Sequence, residues 1–270
     1  MLLTAIVIVL REVLEAALLA SLLSSVGKCF SVNVVGFGFA ILLGLFGAFL
    51  YASNLPYISE LFEYTGQELL NVFLQISIYA CLFVFVVFSG PYRPHIKNKV
   101  LPIVMLIPIA LAIIREGSEI YIYISGFSHG GQQMFPVFVG SVIGFGIGVS
   151  IGALLYYGLL ACTLRVRFVV VKIMLTVIAT GFLSQAVALL LQADYLDSYP
   201  ALWDTSKYLS EESVVGQLLF SIMGYESTPA PQQVVVYVVA ISLVILGVVV
   251  NDRFRPYMME SEVSNKGEGV

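Results

Sequence analysis

Two stretches of this chain place ionisable side chains in the middle of apolar runs long enough to cross a bilayer: Arg11-Glu12-Val13-Leu14-Glu15 and Arg115-Glu116-Gly117-Ser118-Glu119. In hydrocarbon each such group costs roughly 2.5 to 3.5 kcal/mol even on lenient insertion scales, so the chain must turn them toward one another and away from lipid. At about 100° per residue, the i, i+1, i+4 spacing gathers Arg11, Glu12 and Glu15 within about 100° of one helix face. One face is charged, and the rest can meet lipid or other helices.

The remainder of the chain demands the same surroundings. Its 270 residues are 59% hydrophobic and 11% charged, with a mean hydropathy of +0.97. Polar side chains are too few to cover a water-soluble globule of that size, so the chain reads as an all-α polytopic membrane protein. Cys29, Cys81 and Cys162 are an odd number without paired spacing, and read as small apolar residues, neither a disulfide framework nor a thiolate metal site.

Apolar runs predict seven transmembrane helices, at 2–26, 32–54, 69–90, 100–124, 134–162, 168–192 and 234–250. The first is read as a span and not as a cleaved signal, because it lacks a basic leader and carries Arg11, Glu12 and Glu15. Lys28, Arg93, Lys97, Lys99, Arg165, Arg167, Lys172, Arg253, Arg255 and Lys266 all follow odd-numbered spans, and only Lys207 falls on the other side. Lys and Arg are retained in the cytoplasm, so the N-terminus is predicted outside and the tail, 251–270, inside. The outer side then carries Glu60, Glu63, Glu68, Asp194, Asp197, Asp204, Glu211, Glu212 and Glu226, an acidic vestibule of the sign that attracts cations.

Aligning the two motifs exposes an internal repeat. The offset of 104 that carries Arg11 onto Arg115 also carries Gly36, Ala40, Gly44 and Ala48 onto Gly140, Gly144, Gly148 and Gly152. Small residues at every fourth position are helix-packing stripes, within one chain or between copies of a homo-oligomer. Since each unit holds three spans, the second enters the membrane from the opposite side. The fold class expected is seven helices as a 3+3 inverted repeat plus one extra helix, with repeat one at 1–92, repeat two at 100–194, an outer loop at 195–233 and the seventh span at 234–250. Many secondary transporters place a polar site near the midplane of such a repeat.

Four glutamates and two arginines sum to −2 (−4 + 2), so the combined cluster approaches neutrality when it holds a cation. Carboxylates are hard oxygen ligands suited to hard cations. Each arginine can pair with one glutamate of its own motif, which leaves the other free to bind and prevents overly tight capture of an ion that must also leave. Glu12, Glu15, Glu116 and Glu119 are the candidate ligands, with Arg11 and Arg115 as charge partners. Gly126-Phe127-Ser128-His129-Gly130 matches the pattern of a hydrolase nucleophile elbow, but lies in a short connection with no strand before it. Catalysis is not expected, and neither a cofactor nor a nucleic-acid partner is implied.

The repeated R-E-x-x-E motif, in spans one and four of seven, resembles that of the oxidase-dependent iron permeases, which include the fungal high-affinity iron permeases and bacterial EfeU-type iron transporters. The resemblance covers essentially the whole chain, and Gly224-Tyr225 followed by Pro229 resembles the segment before the family's last span. Val13 departs from the usual R-E-G-x-E, leaving close backbone approach to Gly117 of the second copy. What the resemblance implies is an iron permease of the cell membrane, a bacterial inner membrane in the first instance, with iron handled by the four glutamates. Ferric iron ranks ahead of ferrous, and a ferroxidase or metal-binding protein outside is implied as partner. The mechanism expected is a hand-over from the acidic outer loops, with the amphipathic stretch 211–223, to a midplane site. A trivalent ion gains about 7 kcal/mol per 100 mV of inside-negative potential on entering. A transporter of another divalent metal such as lead, a transporter of an organic cation, and a non-transporting anchor for a redox partner remain as alternatives.

Overall fold

A computed structural model describes residues 1–89, 100–127, 134–211 and 213–267, with side chains up to Arg253. The described residues form α-helices and one short 3-10 turn, as their continuous apolar runs demand when no water is at hand to satisfy backbone groups. In chain order they are α1 (Leu2–Gly27), α2 (Val34–Ser53), α3 (Leu55–Tyr64), α4 (Gly66–Phe88), α5 (Val100–Gly126), α6 (Met134–Ala161), α7 (Leu164–Gln192), α8 (Val214–Met223) and α9 (Pro231–Gly267).

Six of these, α2, α4, α5, α6, α7 and Pro231–Arg253 of α9, are long and apolar enough to cross a membrane. Helix α1 is as long, at 26 residues, but every 18-residue window of it contains Arg11, Glu12 and Glu15. Glu12 and Glu15 are buried in the bundle and Arg11 is half-buried against Phe220, so α1 completes the seven expected spans. It is the best-shielded of them, with Leu14, Leu18, Leu19, Leu22, Leu23 and Val26 in the core beside α4 and α7 side chains such as Ile78, Phe85 and Leu175. The outer shell is lipid-facing: Leu42, Phe46 and Phe49 on α2, Phe138, Val142 and Phe145 on α6, and Val238, Leu243 and Leu246 on α9 are all exposed.

Two of the observed helices lay outside the span list. Helix α3 is a short piece broken at Leu61, Phe62 and Glu63, where the backbone leaves helical geometry. Helix α8 falls within the amphipathic stretch 211–223, with the Ser213 hydroxyl accepting from Gly216 N at 3.0 Å and Gly224 closing it in a left-handed conformation. The predicted tail does not begin a new element, since α9 runs through it to Gly267.

The most extensive helix contacts are α1 with α6 and α2 with α5, followed by α4 with α7. Both of the first two pairs run parallel. Gly140 meets Ala5, Gly144 meets Ile6 and Leu10, Gly148 meets Val13 and Gly152 meets Ala17, while Gly44 meets Ile113 and Gly117 meets Ala48. The small-residue stripes are therefore consumed inside one chain. The offset of 104 carries α1 into α5, α2 into α6 and α4 into α7, so it exchanges the two parallel pairs and maps the third onto itself. At one end of the bundle Arg167 donates to the carbonyls of Leu159, Leu160 and Cys162 at the close of α6 and of Ser25 near the close of α1. A cation there suits the negative ends of two parallel helices.

Candidate metal centre

Because α1 lies against α6 and α5 against α2, the two motif helices face each other across the centre of the bundle. Glu15 and Arg115 meet there at 3.2 Å, and Arg115 also holds Glu116 at 2.8 Å and approaches Glu119 at 3.7 Å. Glu12 is held by Arg11 of its own motif, whose Nε donates at 2.9 Å. Each guanidinium rests on a ring, Arg11 over Phe220 of α8 at 5.4 Å and Arg115 over Phe182 of α7 at 5.5 Å. The rings shield the cations from hydrocarbon without competing for the carboxylates.

Glu12, Glu15 and Glu116 are at most 2% exposed, and Arg115 is 6% exposed. Burial of that degree is costly unless each charge is paired, and here the pairing is incomplete. Glu15 Oε1 and Glu116 Oε2 are buried with no hydrogen-bond partner. Buried polar atoms are rarely left so, and an orphaned pair of carboxylate oxygens in one cluster points to a cation as the missing partner. Glu12, Glu116 and Glu119 each bring one oxygen to within 4.8 Å of the others. That is an oxygen triad of the kind a hard cation takes. Glu15 stands one turn along from Glu12, committed on one oxygen to Arg115. All four predicted carboxylates and both arginines are thus brought together, with three of the acids converging on a point and the fourth braced beside them.

The geometry can be set against known proteins. A profile described as the iron permease FTR1 family matches residues 95–261, more than half of the chain. This chain belongs to the iron permease FTR1 family. The match includes the second motif. Ferrous iron permeases EfeU of Escherichia coli O6:H1 and Shigella sonnei are each 25% identical over an alignment 252 residues long that covers 85% of this chain and 89% of theirs. The protein of the same name from Shigella flexneri is 25% identical over 134 residues, 49% of this chain and 57% of its own. No solved structure matches. Members of an iron permease family are transporters and not enzymes, in keeping with a buried carboxylate cluster that offers no nucleophile.

The acidic residues predicted to line the outer mouth of this permease divide into two kinds. Glu60, Glu63, Asp194 and Asp197 are exposed on α3 and on the segment after α7. Others are tied into the loop: Glu211 Oε1 accepts from Ser227 Oγ at 2.8 Å, and Asp204 accepts from Ser206 N at 2.9 Å. The Ser206 hydrogen bonds hold the Asp204 carboxyl below the usual carboxylate range. Burial pushes the Glu226 carboxyl up, against the Gln233 amide that donates to it at 2.7 Å and with the help of nearby Glu211. Glu68 heads α4, half-buried, with Oε2 enclosed and unpartnered. Glu212, Arg93, His95, Lys97, Lys99, Ser128 and His129 lie outside the described residues, and so does the rest of the hydrolase-like pattern past Phe127.

Some of what surrounds the site was not singled out by motif. Phe182 and Phe220 looked like ordinary apolar residues, and nothing in their spacing marks them as seats for arginines. The amides Asn71, Gln75 and Gln185 were readable in principle, since each is a polar group inside a predicted span and each is buried. As neutral amides they carry no charge to set them apart from apolar neighbours.

Proposed function

We propose that this permease imports iron as Fe2+, taking it from the outside, binding it between Glu12, Glu116 and Glu119, and releasing it to the cytoplasm. The observation that carries this reading is the oxygen triad, two of its three glutamates buried and its atoms within 4.8 Å of one another, together with the unpartnered Oε2 of Glu116 and Oε1 of neighbouring Glu15. Charge favours the divalent ion over the ferric ion that the resemblance ranked first. A net −2 from four glutamates and two arginines becomes zero with Fe2+ and +1 with Fe3+. The relatives that carry the name ferrous iron permease support the same choice. A ferrous cargo needs no outer ferroxidase, so the oxidase partner is set aside.

The two-way exchange of helix pairs under the 104-residue offset supports an inverted repeat with the carboxylates at its axis. The end bearing Lys28, Arg165 and Arg167 is taken as cytoplasmic, which puts the N-terminus outside, and Asn251 bound to the Val87 carbonyl at 2.8 Å brings the last span to that same inner end. In this orientation Fe2+ gains about 5 kcal/mol per 100 mV on entering, from about 2.3 kcal/mol per charge.

The test is uptake of radiolabelled Fe2+, kept reduced, into liposomes holding purified Glu12→Ala or Glu119→Ala. Each is expected to lose uptake while eluting as an intact, folded protein. Wild-type uptake by either variant refutes the site. Offering Fe3+, Pb2+ and an organic cation in parallel separates the ferrous reading from its alternatives.

A further inference from the structure

Three polar side chains of α4 that belong to neither motif, half-buried Glu68 and buried Asn71 and Gln75, run from the outer end of the helix toward the depth of the carboxylates. Glu68, Asn71 and Gln75 follow one another on α4 at i, i+3 and i+7, which puts them on one helix face over about 10 Å of rise. Gln75 is fully buried, at 0% exposure, and Asn71 is 5% exposed. The Tyr51 hydroxyl of α2 donates to Asn71 Oδ1 at 3.1 Å. Tyr51 is itself 5% exposed and lies one turn beyond the Ala48 that packs on Gly117, two residues before Glu119.

The far end of the series is at the depth of the metal centre. Gln75 Nε2 donates to Gln185 Oε1 at 3.1 Å, and Gln185 stands one turn along α7 from the Phe182 on which Arg115 rests. Gln185 thus braces Gln75 on its nitrogen side. The oxygen side is left over: Gln75 Oε1 is buried with no partner, as is Glu68 Oε2 at the outer end. Asn71 Oδ1 accepts one hydrogen bond and keeps a second lone pair.

We infer that Tyr51, Asn71 and Gln75 form a ladder of neutral oxygens that passes a partly dehydrated divalent cation from Glu68 to Glu119 and Glu116. This rests on the import reading above and adds the path to it. Neutral carbonyl and phenol oxygens replace water ligands one at a time without adding charge, so they lower the cost of dehydration and do not hold the ion. Carboxylates in the same positions would bind tightly and stall transfer. The hydrogen bond from Tyr51 keeps the Asn71 amide in one orientation, and the bond to Gln185 does the same for Gln75. Each amide thereby keeps an oxygen lone pair available, Gln75 Oε1 with no partner and Asn71 Oδ1 with one.

The experiment measures initial rates of radiolabelled Fe2+ uptake against concentration in liposomes holding the full chain. Gln75→Leu is expected to lose at least tenfold in kcat/KM, and Tyr51→Phe, which removes one oxygen and with it the hydrogen bond that orients Asn71, about threefold to fivefold. Gln185→Leu breaks the same inter-helix hydrogen bond and frees the Gln75 amide to turn, but removes no ladder oxygen, so it is expected to lose about threefold, clearly less than Gln75→Leu. Wild-type kinetics in both Gln75→Leu and Tyr51→Phe would overturn the inference, as would an equal loss in Gln185→Leu, which would make the amide pair a structural brace. If Gln75→Leu does not elute as a folded protein, Tyr51→Phe decides by the same criterion. Glu12→Ala run alongside separates the two levels: its inactivity with a normal Gln75→Leu removes the ladder alone, whereas its activity removes the metal centre too.

Discussion

Replacing Gly144 by alanine should separate α1 from α6 and, through them, open the metal centre. A Cβ at Gly144 would sit 2.5 Å from the Ile6 carbonyl oxygen and 3.0 Å from the Leu10 nitrogen. Both are backbone atoms and cannot swing aside. Ordinary contact starts at 3.4 Å, so the helices must part by about 0.9 Å (3.4 − 2.5) at this level. Overpacking of this kind costs about 1–3 kcal/mol. Alanine recovers about 1 kcal/mol of helix propensity over glycine, so the net effect runs from near zero to about 2 kcal/mol of destabilisation.

Gly146 provides the matched control, because it is on the same helix and a Cβ there would meet nothing within 4 Å. Gly146→Ala keeps the propensity gain and has no clash, so it should be more stable than Gly144→Ala by the whole overpacking cost, about 1–3 kcal/mol. The comparison is made by unfolding both purified variants in the same micelles. The Gly144 variant should also bind Fe2+ more weakly, since Leu10 is two residues before Glu12 and the displacement of α1 carries Glu12 away from Glu116 and Glu119. Equal stability of the two alanine variants would refute the close parallel packing of α1 on α6.

Two further perturbations probe the charges. Arg115→Met leaves Glu15 and Glu116 buried beside no cation and should destabilise the protein by about 3–5 kcal/mol, with part of the loss restored by adding Glu15→Gln, as read by unfolding and by the folded fraction on gel filtration. Glu226 lies outside the membrane spans with its carboxyl raised above the ordinary 4.5, so the folded loop holds its proton more tightly than the unfolded loop does. Its contribution to stability is therefore present below the unfolded value and lost as pH rises through the raised folded value, and the protection of amides in residues 224–233, taken relative to their intrinsic exchange rates, should increase as pH falls toward 4.5. Glu226→Gln should remove that dependence. It keeps an oxygen to accept from Gln233.

Much of the architecture was legible because the bilayer leaves few choices. Runs of about twenty apolar residues must be helices there, and the seven runs became α1, α2, α4, α5, α6, α7 and α9 with ends displaced by only a few residues, apart from the long extension of α9. The motif glutamates were legible for the same reason, since a charge in hydrocarbon has to find a partner. Direction was less accessible. The offset of 104 showed that α1 and α5 correspond, but not that each packs most closely on the stripe helix of the other half, which required seeing Gly144 on Ile6 and Gly117 on Ala48. Helix α3 escaped because a ten-residue piece with a break at Leu61 has no apolar period long enough to register. The ladder amides escaped because a neutral polar residue in a span costs less than a charge and stands out less from its neighbours.

On the import reading proposed above, the two arginines account for how a cluster of four acids, three of them fully buried, would release its ion. With all four glutamates ionised and no counter-charge, the cluster would carry −4 and hold a divalent cation too firmly for turnover. Arg115 touches three of the four acids and Arg11 the remaining one. When an ion leaves the triad, Glu116 and Glu119 therefore do not face each other uncompensated, because Arg115 already lies between them and needs no large movement to take more of their charge. Binding and release become an exchange of one cation for another at the same oxygens. Helix α8 then acquires a role beyond filling space: Phe220 and the Ser221 hydroxyl, 3.5 Å from the Arg11 carbonyl, hold Arg11 on the outer flank of α1, where it neutralises Glu12 without entering the triad. An arginine free to swing inward would compete with the transported ion for Glu12, and the contacts to α8 keep it at the side.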